Sequence, residues 1–205
     1  MNSRRKNKAD DFKNKIILGE CLDVLKTMPA ASVDTIITDP PYGLKFMGKK
    51  WDYNVPAVEV WVAALRVLKP GGTLLCFAGT RTYHRMVINI EDAGFIPKDC
   101  IMWIYGSGFP KATDISKQID KAAGAERQVI DKKKKTQSYR DEGNNCFGGD
   151  KDRGRVQQIT APATNAAKLW DGYKSHGLKP AYEPILVAMK PNEGSYANNA
   201  LVHGD

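Results

Sequence analysis

The sequence predicts an α/β protein, an open Rossmann-like sheet flanked by helices and interrupted by a polar insert. Three observations carry that prediction. Apolar runs of strand length recur at 33–38, 72–79 and 98–106. The segments between them place apolar residues at helical spacing, and Gly or Pro marks each change of period.

Taken in order, "KIILGE" at 15–20 is a short β-rich run, and "ECLDVLKTM" at 20–28 reads as a helix ended by Pro29. "VDTIIT" at 33–38 is almost continuously apolar, as strands buried on both faces of a parallel sheet are. Residues 44–54 read as a loop. A helix over 55–68 follows, with Val58, Trp61, Val62, Leu65 and Leu68 on one stripe, Asn54 as its N-cap, Pro56 in its first turn and "KPGG" as its stop. "GTLLCFAG" at 72–79 is the next strand. "TRTYHRMVINIEDAGF" gives a helix closed by Gly94, and "KDCIMWIYG" at 98–106 is a further strand.

Beyond 106 the pattern loosens. "TDISKQIDKAAG" reads as a short helix, whereas 125–180 is polar and shows no clear element. "EPILVAMKP" at 183–191 is one more strand, and the last fourteen residues carry no evident element. The expected division is a basic tail at 1–14, an α/β portion at 15–110, an insert at 111–180, and a return strand with a tail at 181–205.

Composition narrows the function classes. No apolar run approaches the roughly 18 residues of a membrane span, and the basic N-terminus lacks the apolar stretch of a secretory signal. Cys21, Cys76, Cys100 and Cys146 are scattered, and His84, His176 and His203 lack ligand spacing. Reduced thiols, a cytoplasmic setting and no metal are the expectations. The net charge of +8 is uneven. Residues 1–15 hold six Lys or Arg against two Asp, and 111–155 hold twelve against eight acids, while the remainder balances. A neutral body with two basic segments suits a polyanionic partner.

One stretch points to chemistry. "TDPPYG" at 38–43 follows the strand at 33–38 without a break. In open α/β sheets, ligands gather beyond the carboxyl ends of the strands, which is where Asp39, Pro40, Pro41 and Tyr42 fall. Two prolines stop the ladder and stiffen the turn.

"SVDTIITDPPYG", with a helix and "LKPGGTLL" after it, resembles the DNA amino-methyltransferases, which act on adenine N6 or cytosine N4. "DPPYGLKFMGKKWD", "GTRTYHR" and "WIYGSGFPKATDISKQIDKAAGAER" resemble the phage and prophage branch of that family, and the likeness spans most of 15–191. The resemblance implies S-adenosylmethionine as cofactor, double-stranded DNA as partner, and Asp39, Pro40, Pro41 and Tyr42 as the catalytic motif. An exocyclic amine is a poor nucleophile because its lone pair is delocalised into the ring. The Asp39 carboxylate and Pro40 carbonyl would accept its hydrogen bonds and favour a pyramidal nitrogen. Tyr42 would offer a π face to a flipped base. Asp39 also borders the cofactor site, and Glu20 stands where the family carries an acid near the cofactor adenosine, a helix cap being its other reading.

By the same resemblance, the insert is the target-recognition region. Lys132, Lys133, Lys134, Lys135, Arg140, Arg153 and Arg155 are its candidate phosphate contacts, with Lys151 beside them. Asn144, Asn145 and Gln157 are among the candidates for base edges. The motif order predicts a later Asp-Pro-Phe-x-Gly-Ser-Gly turn for the cofactor's methionine tail, and residues 183–205 do not contain it. The expectation is therefore the front portion of a permuted enzyme, with a second polypeptide as one source of the missing cofactor wall. Adenine N6 is favoured by Asp at position 39. Cytosine N4 and a non-catalytic DNA-binding remnant stay open, whereas cytosine C5 chemistry lacks its Pro-Cys.

Overall fold

The computed structural model describes residues 12–45, 48–106, 112–134, 156–178 and 181–203. The chain divides into two compact units, Met1–Ser107 with Ala181–Asp205, and Gly108–Pro180.

In the first unit, α1 (Cys21–Thr27), β1 (Val33–Thr38), α2 (Val58–Val67), β2 (Leu68–Phe77), α3 (Tyr83–Asp92) and β3 (Ile96–Ile104) alternate as the periodicity predicts. The sheet is nevertheless mixed. Its order is β1-β2-β6-β3, and the late strand β6 (Tyr182–Met189) runs antiparallel between β2 and β3. Among the described residues, only β1 and β2 form a parallel pair. The α/β sheet expected from the sequence is present, and β6 enters it antiparallel, a direction that no local pattern reveals.

The core is a cluster in which Trp61 and Ala64 of α2 and Met86 and Ile90 of α3 pack on Leu74, Cys76, Leu186 and Ala188. β2 alternates buried and half-buried along its whole length, so one face carries the helices. Residues opposite one another in the ladder share a face. Phe77, Ile185, Glu183 and Trp103 therefore lie on the other one.

Four local expectations change. Residues 15–18 form no strand, and Ile16 and Leu18 are fully exposed. β1 is an edge strand rather than a strand buried on both faces, with Ile37 69% exposed. Ala57, not Asn54, is the N-cap of α2. "KPGG" ends that helix but also opens β2. Val33 pairs with Leu68 and Thr35 with Thr73, so residues 69–72 bulge out of the ladder. A Cβ on Gly72 would stand 2.8 Å from the Asp34 carbonyl oxygen, which is why glycine occupies that bulge. The C-terminal stretch is also ordered. Helix α6 (Tyr196–His203) contacts β2, and its buried Asn199 donates to the Pro70 carbonyl at 2.9 Å.

In the second unit the polar insert has structure of its own. Helix α4 (Ile115–Ala122) is capped by the Asp114 side chain, β4 (Val129–Lys134) pairs antiparallel with β5 (Val156–Thr160), and α5 (Asn165–Leu169) is capped by Thr164. α4 matches the short helix read from "TDISKQIDKAAG", while β4, β5 and α5 lie in a stretch where the sequence shows no clear element. They are organised around buried Asp120, which accepts from Arg127 Nη1 at 2.6 Å, from the Ala163 and Thr164 amides at 3.0 Å each, and from the Thr164 hydroxyl at 2.8 Å. A polar sequence can hold a fold when its buried acid is this fully satisfied.

Candidate active site

The parallel register sets Thr38 beside Cys76, so the chain leaves β1 next to the end of β2. Asp39 is exposed there, and no ion pair among the described residues engages it. Pro40 to Leu44 are half-buried. The turn closes by two devices. Gly43 takes a left-handed φ of +68°, and a Cβ on it would meet the Val55 amide nitrogen at 3.0 Å. Asp52, 3% exposed at the end of a 3-10 turn over Lys50–Asp52, accepts from the Gly43 amide at 2.9 Å and the Leu44 amide at 3.2 Å. The Asp52 carbonyl also accepts from the Lys45 amide at 2.8 Å. The loop after the motif is thus folded back on one buried carboxylate.

Tyr42 is held from two sides. Its hydroxyl donates to Glu183 Oε2 at 3.1 Å, and Gly79 lets the ring approach so closely that a Cβ there would lie 3.3 Å from Tyr42 Cδ2. Burial, then the Asp39 and Glu183 carboxylates, push the Tyr42 phenol far above its ordinary range. Burial and Asp39 likewise push the buried Cys76 thiol up to about 12, so it is a packed neutral group and no nucleophile. The tethered ring shares its sheet face with Phe77 and Trp103, whose centroids stand 6.0 Å apart. The arrangement offers an open carboxylate beside a fixed aromatic plane.

The family profile for N6/N4 methyltransferases, described as DNA methylase, matches residues 33–203. The chain belongs to the N6/N4 DNA methylase family. Among curated relatives of this chain, the type II methyltransferase M.HinfI of Haemophilus influenzae is 28% identical over 48% of the chain and 33% of its own length. M.HpaI of Haemophilus parainfluenzae is 33% identical over 52% and 36%, and M.HindIII of Haemophilus influenzae is 28% identical over 71% and 36%. The matches span about a third of these curated relatives. Among solved structures, the M1.HpyAVI-SAM complex aligns with 86% of this chain and 53% of its own at 15% identity and a TM-score of 0.40. TTHA0409 of Thermus thermophilus, complexed with S-adenosyl-L-methionine, aligns with 90% and 57% at 15% identity and a TM-score of 0.42.

The other residues singled out from the sequence fare unevenly. Glu20 is the exposed N-cap residue of α1, but its side chain makes no capping bond. It accepts only a weak 3.5 Å contact from the Cys21 thiol. In the insert, Lys132 is exposed on β4, and Lys133 and Lys134 follow it on the same strand. Lys135, Arg140, Asn144, Asn145, Lys151, Arg153 and Arg155 lie outside the described residues, and Gln157 is placed on β5. Arg127, a basic residue of the same segment, is turned inward against Asp120.

Sequence reasoning missed Asp52 and Glu183. Asp52 stands in the quoted run "DPPYGLKFMGKKWD", but an acid in a loop has no periodic signature. Glu183 lies 141 residues from Tyr42. The exposed edge-to-face pair of Trp170 and Tyr173, with centroids 5.4 Å apart in the insert, also went unmarked. Among the described residues, no three His, Cys, Asp or Glu gather as metal ligands, and no helix is long and apolar enough to cross a membrane.

Proposed function

We propose that this chain supplies the target-base side of a DNA methyltransferase acting on the exocyclic N6 amine of adenine, with S-adenosylmethionine as methyl donor. The observation that carries the reading is the open Asp39 carboxylate beside a Tyr42 ring tethered by Glu183 at the carboxyl end of β1. An exposed carboxylate at this strand end fits a site that must receive an amine on one side and a donor on the other. When bound, S-adenosylmethionine supplies an electrophilic methyl on a sulfonium.

The chain's own residues do the rest. Asp39 and the Pro40 carbonyl accept the two amine hydrogens, which draws the nitrogen lone pair out of conjugation and aims it across the loop. Tyr42 stacks on the extruded base, a contact worth roughly 1–3 kcal/mol. The prolines and the Asp52 clamp keep the acceptors at a fixed angle. Cytosine N4 presents the same amine geometry. Asp rather than Ser at position 39 favours adenine through the family resemblance. Double-stranded DNA is the proposed partner, and exposed Lys132 on β4 with the Trp170–Tyr173 pair supports a nucleic-acid-facing role for the insert.

A second feature bears on the donor side. β1 is paired on one edge only, Ile37 is exposed, and Ile16 and Leu18 are fully exposed. Helix α1 has no buried residue. This open apolar edge beside Asp39 supports a reading in which a further segment, from this protein or a second polypeptide, lies along β1 and completes the donor's pocket.

The test is transfer of tritiated methyl from S-adenosylmethionine to plasmid DNA. Label incorporated by the wild-type protein and lost in Asp39→Ala is the expected result. Label that persists in Asp39→Ala overturns the assignment. Salt-sensitive DNA binding with no label under any condition replaces the enzyme reading with that of a DNA-binding protein.

A further inference from the structure

Glu183 is absent from the motif and projects from the strand that enters the sheet last. Two backbone hydrogen bonds bracket its position: the Ala78 amide donates to the Pro184 carbonyl at 3.0 Å, and the Tyr105 amide donates to the Ala181 carbonyl at 2.8 Å. The first of these ties residue 184 to the end of β2, beside the loop that carries Tyr42. Half-buried Glu183 has no cationic partner among the described residues, and the Tyr42 hydroxyl is its hydrogen-bond donor. A carboxylate removed from water without a cation is costly unless its acceptor capacity is used. Here it is used on the one side chain whose orientation the site depends on.

Trp103 lies opposite Glu183 in the ladder, and Phe77 packs against Trp103, so the tether sits in a row of rings on one face. Gly79 limits Tyr42 from behind, since nothing larger than hydrogen fits there without crowding the ring. The ring is therefore confined at its back by Gly79, just beyond β2, and at its hydroxyl by β6.

We propose that Glu183 is a positioning residue of the target-base pocket, whose carboxylate fixes the plane of the Tyr42 ring against which the base stacks. The proposal rests on the base-methylation reading for the identity of what stacks, but not for the tether itself. A free tyrosine at a loop end would turn about two side-chain bonds, and fixing them beforehand removes that entropy from the binding step. Glu183 thereby couples the insertion of β6 into the sheet to the readiness of a loop at the far end of the sequence.

The experiment uses the full chain as wild type, Glu183→Ala, Glu183→Gln, Tyr42→Phe and the double variant Tyr42→Phe/Glu183→Ala, each checked by its thermal melt. The probe is a short single-stranded oligonucleotide carrying one 2-aminopurine, whose fluorescence is quenched on stacking. Glu183→Ala is expected to weaken quenching-detected binding about five-fold, within the range that a lost base stack spans. Glu183→Gln, which keeps an acceptor oxygen, is expected to stay near wild type. Once Tyr42→Phe has removed the hydroxyl, removing Glu183 should cost nothing more. An equal loss from Glu183→Ala in the Tyr42→Phe background, or a Gln variant as damaged as the Ala variant, overturns the proposal. Should wild-type protein fail to quench the probe, the base-stacking reading falls. The tether is then judged by the χ1 rotamer populations of isotopically labelled Tyr42 from NMR couplings, where rotamer averaging in Glu183→Ala against one rotamer in wild type upholds it and equal populations overturn it.

Discussion

Replacing Asp52 by alanine should unfasten the loop that follows Tyr42, and the structure sets the size of the effect. The carboxylate accepts from two backbone amides, at 2.9 Å from Gly43 and 3.2 Å from Leu44, while 3% exposed. Hydrogen bonds to charged groups contribute about 1.5–3 kcal/mol each, which gives about 3–6 kcal/mol if both donors stay dry. Gly43 and Leu44 are half-buried, so water takes over part of the loss, and about 2–4 kcal/mol is the expected cost. Against a typical folding free energy of about 5–15 kcal/mol, that is a large fraction. With a urea slope of about 2 kcal/mol/M, the midpoint should fall by about 1–2 M if the loop and the core unfold together. If the loop opens alone, the midpoint moves less, and the Gly43 and Leu44 amides lose protection from hydrogen exchange instead. Asp52→Asn retains one acceptor oxygen and should lie between. Both readouts unchanged in Asp52→Ala would refute the clamp, whatever happened to activity.

Gly43→Ala should melt below wild type by more than Gly48→Ala does. Both glycines sit at φ +68°, but only the first would drive a Cβ to 3.0 Å from a backbone nitrogen, and open space surrounds the second. The shared left-handed penalty is about 1–2 kcal/mol, and equal melting losses would remove the steric argument for Gly43. The insert should lose stability in acid. Burial pushes the Asp120 carboxyl upward, but the Ala163 and Thr164 amides, the Thr164 hydroxyl and Arg127 outweigh it and hold the group at about 2, below its ordinary 3.8. A depressed folded-state value means that the stabilisation is complete above the unfolded value and drains away as pH falls from about 4 toward 2. The NMR amide signals of Ala163 and Thr164 should report that transition in wild type. Asp120→Asn should show no comparable pH dependence, and a wild-type insert unchanged at pH 2 would contradict the account.

The parts of the fold that were legible in the sequence are those whose cause is local. α2 and α3 announce themselves because a helix buried on one side repeats its apolar residues at a fixed period, and β1 and β3 do so as short apolar runs of strand length. The "TDPPYG" turn is legible for a related reason: its chemistry is packed into four consecutive residues whose geometry prolines and a glycine settle. The insert failed that test in an instructive way. α4 was legible from "TDISKQIDKAAG", but β4, β5 and α5 are ordered with it around Asp120 and Arg127, and a core of hydrogen bonds leaves no apolar period to read. β1 misled for the opposite reason, since "VDTIIT" has the composition of a central strand and yet lies at an edge, where Ile37 meets solvent.

What the sequence could not disclose is the long-range partner of the motif, and the topology shows why. β6 reads as a strand from "EPILVAM", but nothing in those residues states that it enters antiparallel between β2 and β3. That one placement carries Glu183 to the Tyr42 hydroxyl and the Pro184 carbonyl to the Ala78 amide. With β6 at the outer edge of β3, the same sequence would leave Tyr42 without its hydroxyl acceptor and β2 without its antiparallel neighbour. In the proposed reading the motif supplies the groups that meet the base, and the strand order decides whether Glu183 holds the Tyr42 ring. A variant that slips β6 by one residue would turn Glu183 to the helix-covered face and Pro184 toward Tyr42, because side chains alternate faces along a strand. Such a slip would disable the site while leaving all four motif residues in place.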